Sequence, residues 1–249
     1  MQAWVGHLRD ALDNDRFMLH YQPVINLQGE PGAMYEAYIR LDVGAGEMVP
    51  PLSFQQIAEE HGLLWEIDHW VVDRAIKVLA ERQKIGHPVH LLVKITQASL
   101  GDDRLAKFVN QRLADEKVDG GRLTLQLSEA KVFTHLRASQ EFAATIARSR
   151  CKVGLEQFGI GLDSFQLLSH FDPAYIKLDR SFTEDLPKNA GNQERIKEIA
   201  EKAQSLGIRS IAEFIQDAAS MAILISSGVD YVEGNFLAPA GPELNYDFE

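Results

Sequence analysis

Phe17-Met18-Leu19-His20-Tyr21-Gln22-Pro23-Val24-Ile25-Asn26, then Leu27-Gln28-Gly29-Glu30-Pro31-Gly32-Ala33, then Met34-Tyr35-Glu36-Ala37-Tyr38-Ile39-Arg40-Leu41 is the stretch on which the fold turns. The runs 17–26 and 34–41 are rich in β-branched and aromatic residues and read as strands. The segment between them is too short for a crossover helix, so the two are expected to pair as an antiparallel hairpin.

Downstream the pattern changes. Strand character returns at 89–95, 123–128, 152–158, 175–180, 209–214 and 231–236, and helical periodicity fills most of the intervals. Trp4, Leu8, Ala11 and Leu12 make one apolar face ahead of the first strand, and Ile196, Ile199, Ala200, Ala203 and Leu206 make another. Amphipathic stretches lie at 67–85, 103–116, 137–149 and 216–227. Regular alternation argues for a parallel sheet, and eight strands argue for closure. The expected fold is α/β: a modified TIM-like (β/α)8 barrel with an antiparallel first strand pair, an open doubly wound sheet being the alternative. Residues 1–249 read as a single domain, expected to be a module excised from a longer protein, because nothing in them looks like a sensor or targeting segment. The Pro/Gly-rich tail after Phe236 reads as a surface-packed terminus.

Composition narrows the function. With 45% hydrophobic and 24% charged residues the chain can bury a sizeable core, which excludes a disordered protein. A formal net charge of −11 opposes binding to a DNA or RNA backbone, although a small nucleotide held by a local basic group is compatible with it. The single cysteine, Cys151, rules out an intrachain disulfide and fits a reducing compartment, so a cytoplasmic location is expected. No apolar run reaches the length of a membrane span, so direct membrane insertion is not expected.

Six strands end on ionisable or amide side chains where buried strands usually end on apolar ones. These are Glu36, Lys94, Gln126, the pair Glu156 and Gln157, the pair Lys177 and Asp179, and Glu213. Any one alone reads as a cap or surface residue. In a parallel barrel, however, the strand ends converge on one face, and a cluster of buried ionisable groups there reads as a site.

These residues also carry a family resemblance. Tyr21-Gln22-Pro23-Val24, Glu36-Ala37-Tyr38, Phe158-Gly159-Ile160-Gly161, Ile176-Lys177-Leu178-Asp179-Arg180-Ser181-Phe182 and Tyr231-Val232-Glu233-Gly234 resemble, in order and spacing, the YQPI, EAL, DDFGTG, LKIDRSF and YVQG motifs of EAL-domain cyclic di-GMP phosphodiesterases. The resemblance covers essentially the whole chain. It implies a two-metal phosphodiester hydrolase in active members, whose metal shell draws on a Glu, an Asn, a second Glu, two Asp, a Lys and a third Glu. Here those seven positions are Glu36, Lys94, Gln126, Glu156, Gln157, Lys177 and Glu213. Five carboxylates against one lysine (−4) become three carboxylates against two lysines (−1). A protonated ammonium cannot ligate a metal. The resemblance therefore implies a degenerate domain with no metal, no catalytic residue and no cofactor, and with cyclic di-GMP as a ligand.

The groups that would hold that ligand are retained. Arg40 can meet a phosphate, its bland alternative being an ion pair with Asp42. Phe214, in Glu213-Phe214-Ile215-Gln216, can stack on a guanine, with Glu213, Gln216, Glu233 and Gly234 nearby. Asp68, expected at a helix start, can accept from the guanine N1–H and N2–H edge, and its alternative is a helix cap. Gln22, Glu36, Tyr38, Ser164 and Asp179 complete the candidate ligand set. The variants Lys94-Ile95-Thr96, Glu156-Gln157-Phe158-Gly159 and Ala212-Glu213-Phe214-Ile215-Gln216 most resemble FimX-type EAL domains. That resemblance implies signalling in type IV pilus assembly and twitching motility, a PilZ-domain adaptor as partner and a pilus assembly ATPase as a further candidate. The competing functions are a residually active metal-dependent phosphodiesterase and a nucleotide-independent protein-interaction domain.

Overall fold

The computed structural model describes residues 2–248. α1 (Gln2–Asp13) precedes β1 (Phe17–Pro23), β2 (Ile25–Asn26), β3 (Ala33–Gly44) and β4 (Glu47–Val49). Then come α2 (Gln55–Glu60), α3 (Leu64–Lys84), β5 (Val89–Lys94), α4 (Arg104–Glu116) and β6 (Leu123–Ser128). α5 (Glu129–Thr134), α6 (Leu136–Ile146), β7 (Lys152–Phe158), α7 (Ser164–Leu167) and β8 (Tyr175–Leu178) follow, and α8 (Ala190–Ser205), β9 (Arg209–Ala212), α9 (Ala218–Ser226) and β10 (Tyr231–Val232) complete the chain.

The sheet runs β1-β3-β5-β6-β7-β8-β9-β10-β2, with β4 paired to β3 off this path. β1 lies antiparallel to β3, Phe17 opposite Leu41 and Pro23 opposite Tyr35, as the short connection requires. From β3 to β10 every neighbour is parallel. The barrel and its antiparallel first pair are as expected, and the open doubly wound sheet is not formed.

The expected strand 17–26 is two strands. It breaks at Val24, whose amide donates to Met34 O at 2.9 Å. Residues before the break pair with β3, and residues after it pair antiparallel with β10, Ile25 opposite Val232. One run of chain thus joins the two ends of the sheet. The strand expected at 34–41 is longer, because it turns back at Ala45-Gly46, both at positive φ, to form β4.

The last three strands stop short of 180, 214 and 236 because their final residues leave the ladder. Asp179 turns to accept from the Ser181 amide at 3.0 Å. Phe214 takes φ +66°, the left-handed region that an aromatic side chain adopts at a cost of about 1–2 kcal/mol. At Gly234 the chain runs so close to Ile215 that a Cβ would overlap the Ile215 backbone nitrogen.

Helices begin at the same end of the barrel. Ser128, Asp163, Asn189 and Asp217 each accept from the backbone N–H three residues on, starting α5, α7, α8 and α9 in the segments that follow β6, β7, β8 and β9. α3 buries Ile67, Val71, Val72, Ala75, Ile76 and Leu79 at helical spacing against the sheet. It starts at Leu64, so Asp68 lies a full turn inside the helix and not at its start. The tail packs as expected: Gly241 pairs with Tyr21, and Leu244, Tyr246 and Phe248 lie against the core. Among the described residues no helix is long and apolar enough to cross a membrane.

Side chains alternate along a strand, so interior positions recur every second residue and form layers. Val24, Met34, Leu92, Tyr175, Ile211 and Tyr231 form an apolar cluster separate from the main core under the helices. Two residues further along the same strands stand Glu36, Lys94, Lys177, Glu213 and Glu233. The upper layer, at the C-terminal ends of the parallel strands, is where barrels build their sites.

Candidate functional site

The centre of the upper layer is an ion triad. Lys177 Nζ lies 2.6 Å from Glu36 Oε2 and 2.7 Å from Glu233 Oε1, and none of the three side chains is more than 1% exposed. Gln126, with its amide nitrogen turned toward Glu36, donates to Oε1 at 2.9 Å and Oε2 at 3.2 Å. Burial pushes the Glu36 carboxyl above its ordinary range, Lys177 opposes the rise and Glu233 adds to it. Burial would lower the Lys177 ammonium, but the Glu233 and Glu36 charges outweigh it and hold the group well above its ordinary range.

Toward solvent stands a second pair. Lys94 Nζ is 2.6 Å from Glu156 Oε2, close enough to be an ion pair but not aligned as a hydrogen bond, since that oxygen lacks a hydrogen-bond partner. Lys94 is 41% exposed and Glu156 14%. Burial opposes the Lys94 charge, and Glu156, Glu36 and Glu213 together raise its pKa. Glu213 is itself shifted up by burial.

These residues do not fit a divalent metal pair. Glu36 and Glu156 already face ammonium groups, Gln126 spends its amide on Glu36, and Lys94 stands at the position where the family pattern has a neutral ligand. Among the described residues no three His, Cys, Asp or Glu side chains are placed to hold a metal ion.

Above this layer two cavities meet. One, of about 370 Å³, is lined by Gln22, Asp179, Arg180, Glu213, Phe214, Ile215, Gln216, Glu233, Gly234 and Asn235. The other, of about 530 Å³, is more apolar, walled by Pro50, Pro51, Leu52 and Phe54, with Arg40, Asp68, Thr96, Lys131 and Glu156 supplying polar groups. Tyr38, Lys94 and Gln157 line both and form the waist between them.

In the first lobe the Arg180 guanidinium lies over the Phe214 ring, 4.4 Å from its centroid, while Arg180 Nη2 also meets Glu184 Oε1 at 2.8 Å. Gln22 lines this lobe, but its amide donates inward, to Ala238 O at 2.9 Å and Asn235 Oδ1 at 3.3 Å.

In the second lobe Arg40 does not pair with Asp42. Its Nη1 donates to Ile39 O at 2.9 Å, and Asp42 accepts from the Gly44 amide instead. The guanidinium lies 5.6 Å from the Tyr38 ring centroid, and among the described residues no carboxylate is in ion-pair range of it. Asp68 is not a helix cap. Its Oδ2 accepts from Thr96 N, Thr96 Oγ1 and Ser99 Oγ at 2.8, 2.7 and 2.6 Å, and all three bonds fall on that one oxygen. Burial raises Asp68 to about 6, with the Ser99 and Thr96 bonds opposing.

Of the ligand residues expected from sequence, Gln22, Tyr38, Arg40, Asp68, Asp179, Glu213, Phe214, Gln216, Glu233 and Gly234 line the double cavity. Glu36 lies beneath its floor. Ser164 does not reach it: the side chain is buried at the start of α7, beside Gly161 and Glu129, outside both lobes. Among the lining residues not singled out from sequence are the charged Arg180 and Lys131 and the amide Asn235. Arg180 directly follows Asp179 in the Ile-Lys-Leu-Asp-Arg-Ser-Phe stretch, so its motif was visible and only its direction was not.

The EAL domain family matches residues 5–240. The fold superposes on the FimX EAL domain of Xanthomonas citri in complex with c-diGMP at TM-score 0.95 and 53% identity, covering 100% of this chain and 97% of that one. It superposes on the FimX EAL domain of Pseudomonas aeruginosa bound to c-di-GMP at TM-score 0.93 and 33% identity, covering 99% of both. In sequence it is 28% identical over 241 residues to the cyclic di-GMP phosphodiesterase PdeR of Escherichia coli (strain K12), covering 97% of this chain but 36% of that protein. The chain belongs to the EAL domain family.

Proposed function

We propose that this EAL domain is a catalytically inactive receptor that binds cyclic di-GMP without divalent metal. The observation that carries this reading is the two-lobed cavity with a shared waist, whose lobes offer what a guanine needs. Phe214 gives an aromatic face in one lobe, and Asp68, with Oδ1 outside its hydrogen-bond set, gives a carboxylate acceptor in the other. Similarity to two FimX EAL domains solved with the same nucleotide supports the ligand. The charge pattern supports loss of chemistry. In-line attack by a metal-activated water needs two metals held by carboxylates, and here those carboxylates face Lys94 and Lys177.

Without turnover, a receptor acts by presenting a ligand-dependent surface. The similarity to FimX EAL domains nominates a cytoplasmic role in type IV pilus assembly and twitching motility through a PilZ-domain adaptor, with a pilus assembly ATPase further downstream. Linkage then requires adaptor and nucleotide to change each other's affinity by the same factor, about 1–3 kcal/mol for a useful switch.

The test is to incubate the domain with cyclic di-GMP and magnesium or manganese and resolve the nucleotides by chromatography. Intact cyclic di-GMP recovered from the bound fraction is expected. Linear dinucleotide accumulating at about 1 per second, a typical enzyme rate, would make the domain a phosphodiesterase instead. No bound nucleotide would make it a nucleotide-independent interaction domain.

A further inference from the structure

We propose that Lys94 is a phosphate-binding residue, its ammonium taking up phosphodiester charge that divalent metal would otherwise compensate. The inference rests on the reading of the double cavity as a cyclic dinucleotide site. In such a ligand the two bases lie at opposite ends and the two phosphodiesters lie in the ring between them. With one base in each lobe, the ring must cross the waist formed by Tyr38, Lys94 and Gln157. Of these three side chains only Lys94 carries charge.

Its geometry leaves it free to act. An ammonium has three donors, yet the ion-pair partner of Lys94 among the described residues, Glu156 Oε2 at 2.6 Å, is not aligned to accept a hydrogen bond, and the Tyr38 ring beneath the ammonium, 5.9 Å to its centroid, takes none. With 41% of the side chain open to the cavity, those donors can turn to a ligand oxygen. Lys177 cannot substitute, because it is 1% exposed and held between Glu36 and Glu233.

The surroundings also need a cation at this point. Glu156, Glu213 and Glu233 line the two lobes beside it, and Lys94 is the one cation shared by both lobes to offset their repulsion of a phosphodiester at the waist. Arg40, which among the described residues has no carboxylate in ion-pair range, supplies a further cation in the larger lobe. Lys94 is thus the cation at the waist, with Arg40 and Lys131 in the larger lobe and Arg180 in the smaller one.

The experiment is calorimetric titration of cyclic di-GMP in EDTA, at several salt concentrations, against wild type, Lys94→Met, Lys94→Arg and the double variant Lys94→Met with Glu156→Gln. Thermal unfolding of each checks that the barrel is intact. Lys94→Met is expected to weaken binding about ten- to hundredfold, the range for a hydrogen bond to a charged group, and to flatten the salt dependence. Lys94→Arg, which keeps the charge, should bind closer to wild type. The double variant decides the matter. If Lys94 contacts phosphate, removing Glu156 as well leaves binding weak. If Lys94 only neutralises Glu156, the double variant regains wild-type affinity and the proposal is overturned. Lys94→Met binding as wild type does, with the same salt slope, would overturn it equally. A wild-type domain that fails to bind in EDTA would instead defeat the receptor reading itself, and this inference with it.

Discussion

Along β8 the interior positions are Tyr175 and then Lys177; along β5, Leu92 and then Lys94; along β3, Met34 and then Glu36. The two layers stand on the same strands, one nearer the cavity, and differ in their side chains. The lower one is apolar packing. The upper one holds a lysine between two glutamates at 1% exposure or less, an arrangement that apolar residues of similar volume would often match or exceed in stability. Folding alone does not call for those charges. They are best understood as the floor of a site, kept soluble in the barrel by pairing with one another.

The largest effect should come from unpairing that floor. Lys177→Met leaves Glu36 and Glu233 buried without a cation and is expected to destabilise the domain by about 3–5 kcal/mol in urea unfolding. Ile211→Val, in the lower layer, should cost about 0.5–1.5 kcal/mol. Equal losses from the two substitutions would mean that the upper layer is ordinary core.

A smaller effect separates stability from binding at Phe214. The Phe214→Gly variant removes the aromatic face and also relieves the φ of +66°, so binding should weaken by about 1–3 kcal/mol in calorimetry while the melting temperature does not fall. A variant that binds normally but melts early would reassign Phe214 to packing. The Arg180 guanidinium would then lose its platform without consequence for the ligand.

The smallest effect is a pH dependence with opposite signs for binding and folding. Asp68 rises from 3.8 to about 6 through burial, countered in part by Ser99 and Thr96. A carboxyl whose pKa is raised on folding favours the folded state most below its unfolded pKa, and that contribution is lost as pH climbs from about 4 through about 6. Guanine binding needs the ionised form and so gains over the same window. Nucleotide affinity should therefore fall as pH drops below about 6, and Asp68→Asn should remove that dependence. A wild-type affinity that stays flat from pH 7 to 5 would mean that Asp68 does not receive the base.

The barrel was legible because its periodicities are local: β-branched runs alternating with amphipathic helices, and a connection at 27–33 too short to be anything but a turn. The break at Val24 was not, since it arises when one strand must serve both β3 and β10. In the site, the charged strand ends Glu36, Lys94, Lys177 and Glu213 stood out because barrel topology brings such ends together. Sequence spacing does not say which way a side chain turns once its strand has ended. Ser164 therefore pointed away from the cavity and Arg180 pointed into it, and Glu233 proved to be a counter-ion of Lys177 as well as a lining residue. The Arg40–Asp42 pairing failed for a similar reason, because the chain turns at Gly44 and Asp42 is used to hold that turn.

The most direct test of the central claim, that the upper layer compensates its own charge and binds nucleotide without metal, is a pair of calorimetric titrations of cyclic di-GMP. One is run in EDTA and the other in magnesium, at the same pH and ionic strength. The account predicts saturable binding in both with the same affinity and stoichiometry. Binding that appears only with magnesium would contradict it, showing that Glu36 and Glu156 release their lysines to hold a metal after all.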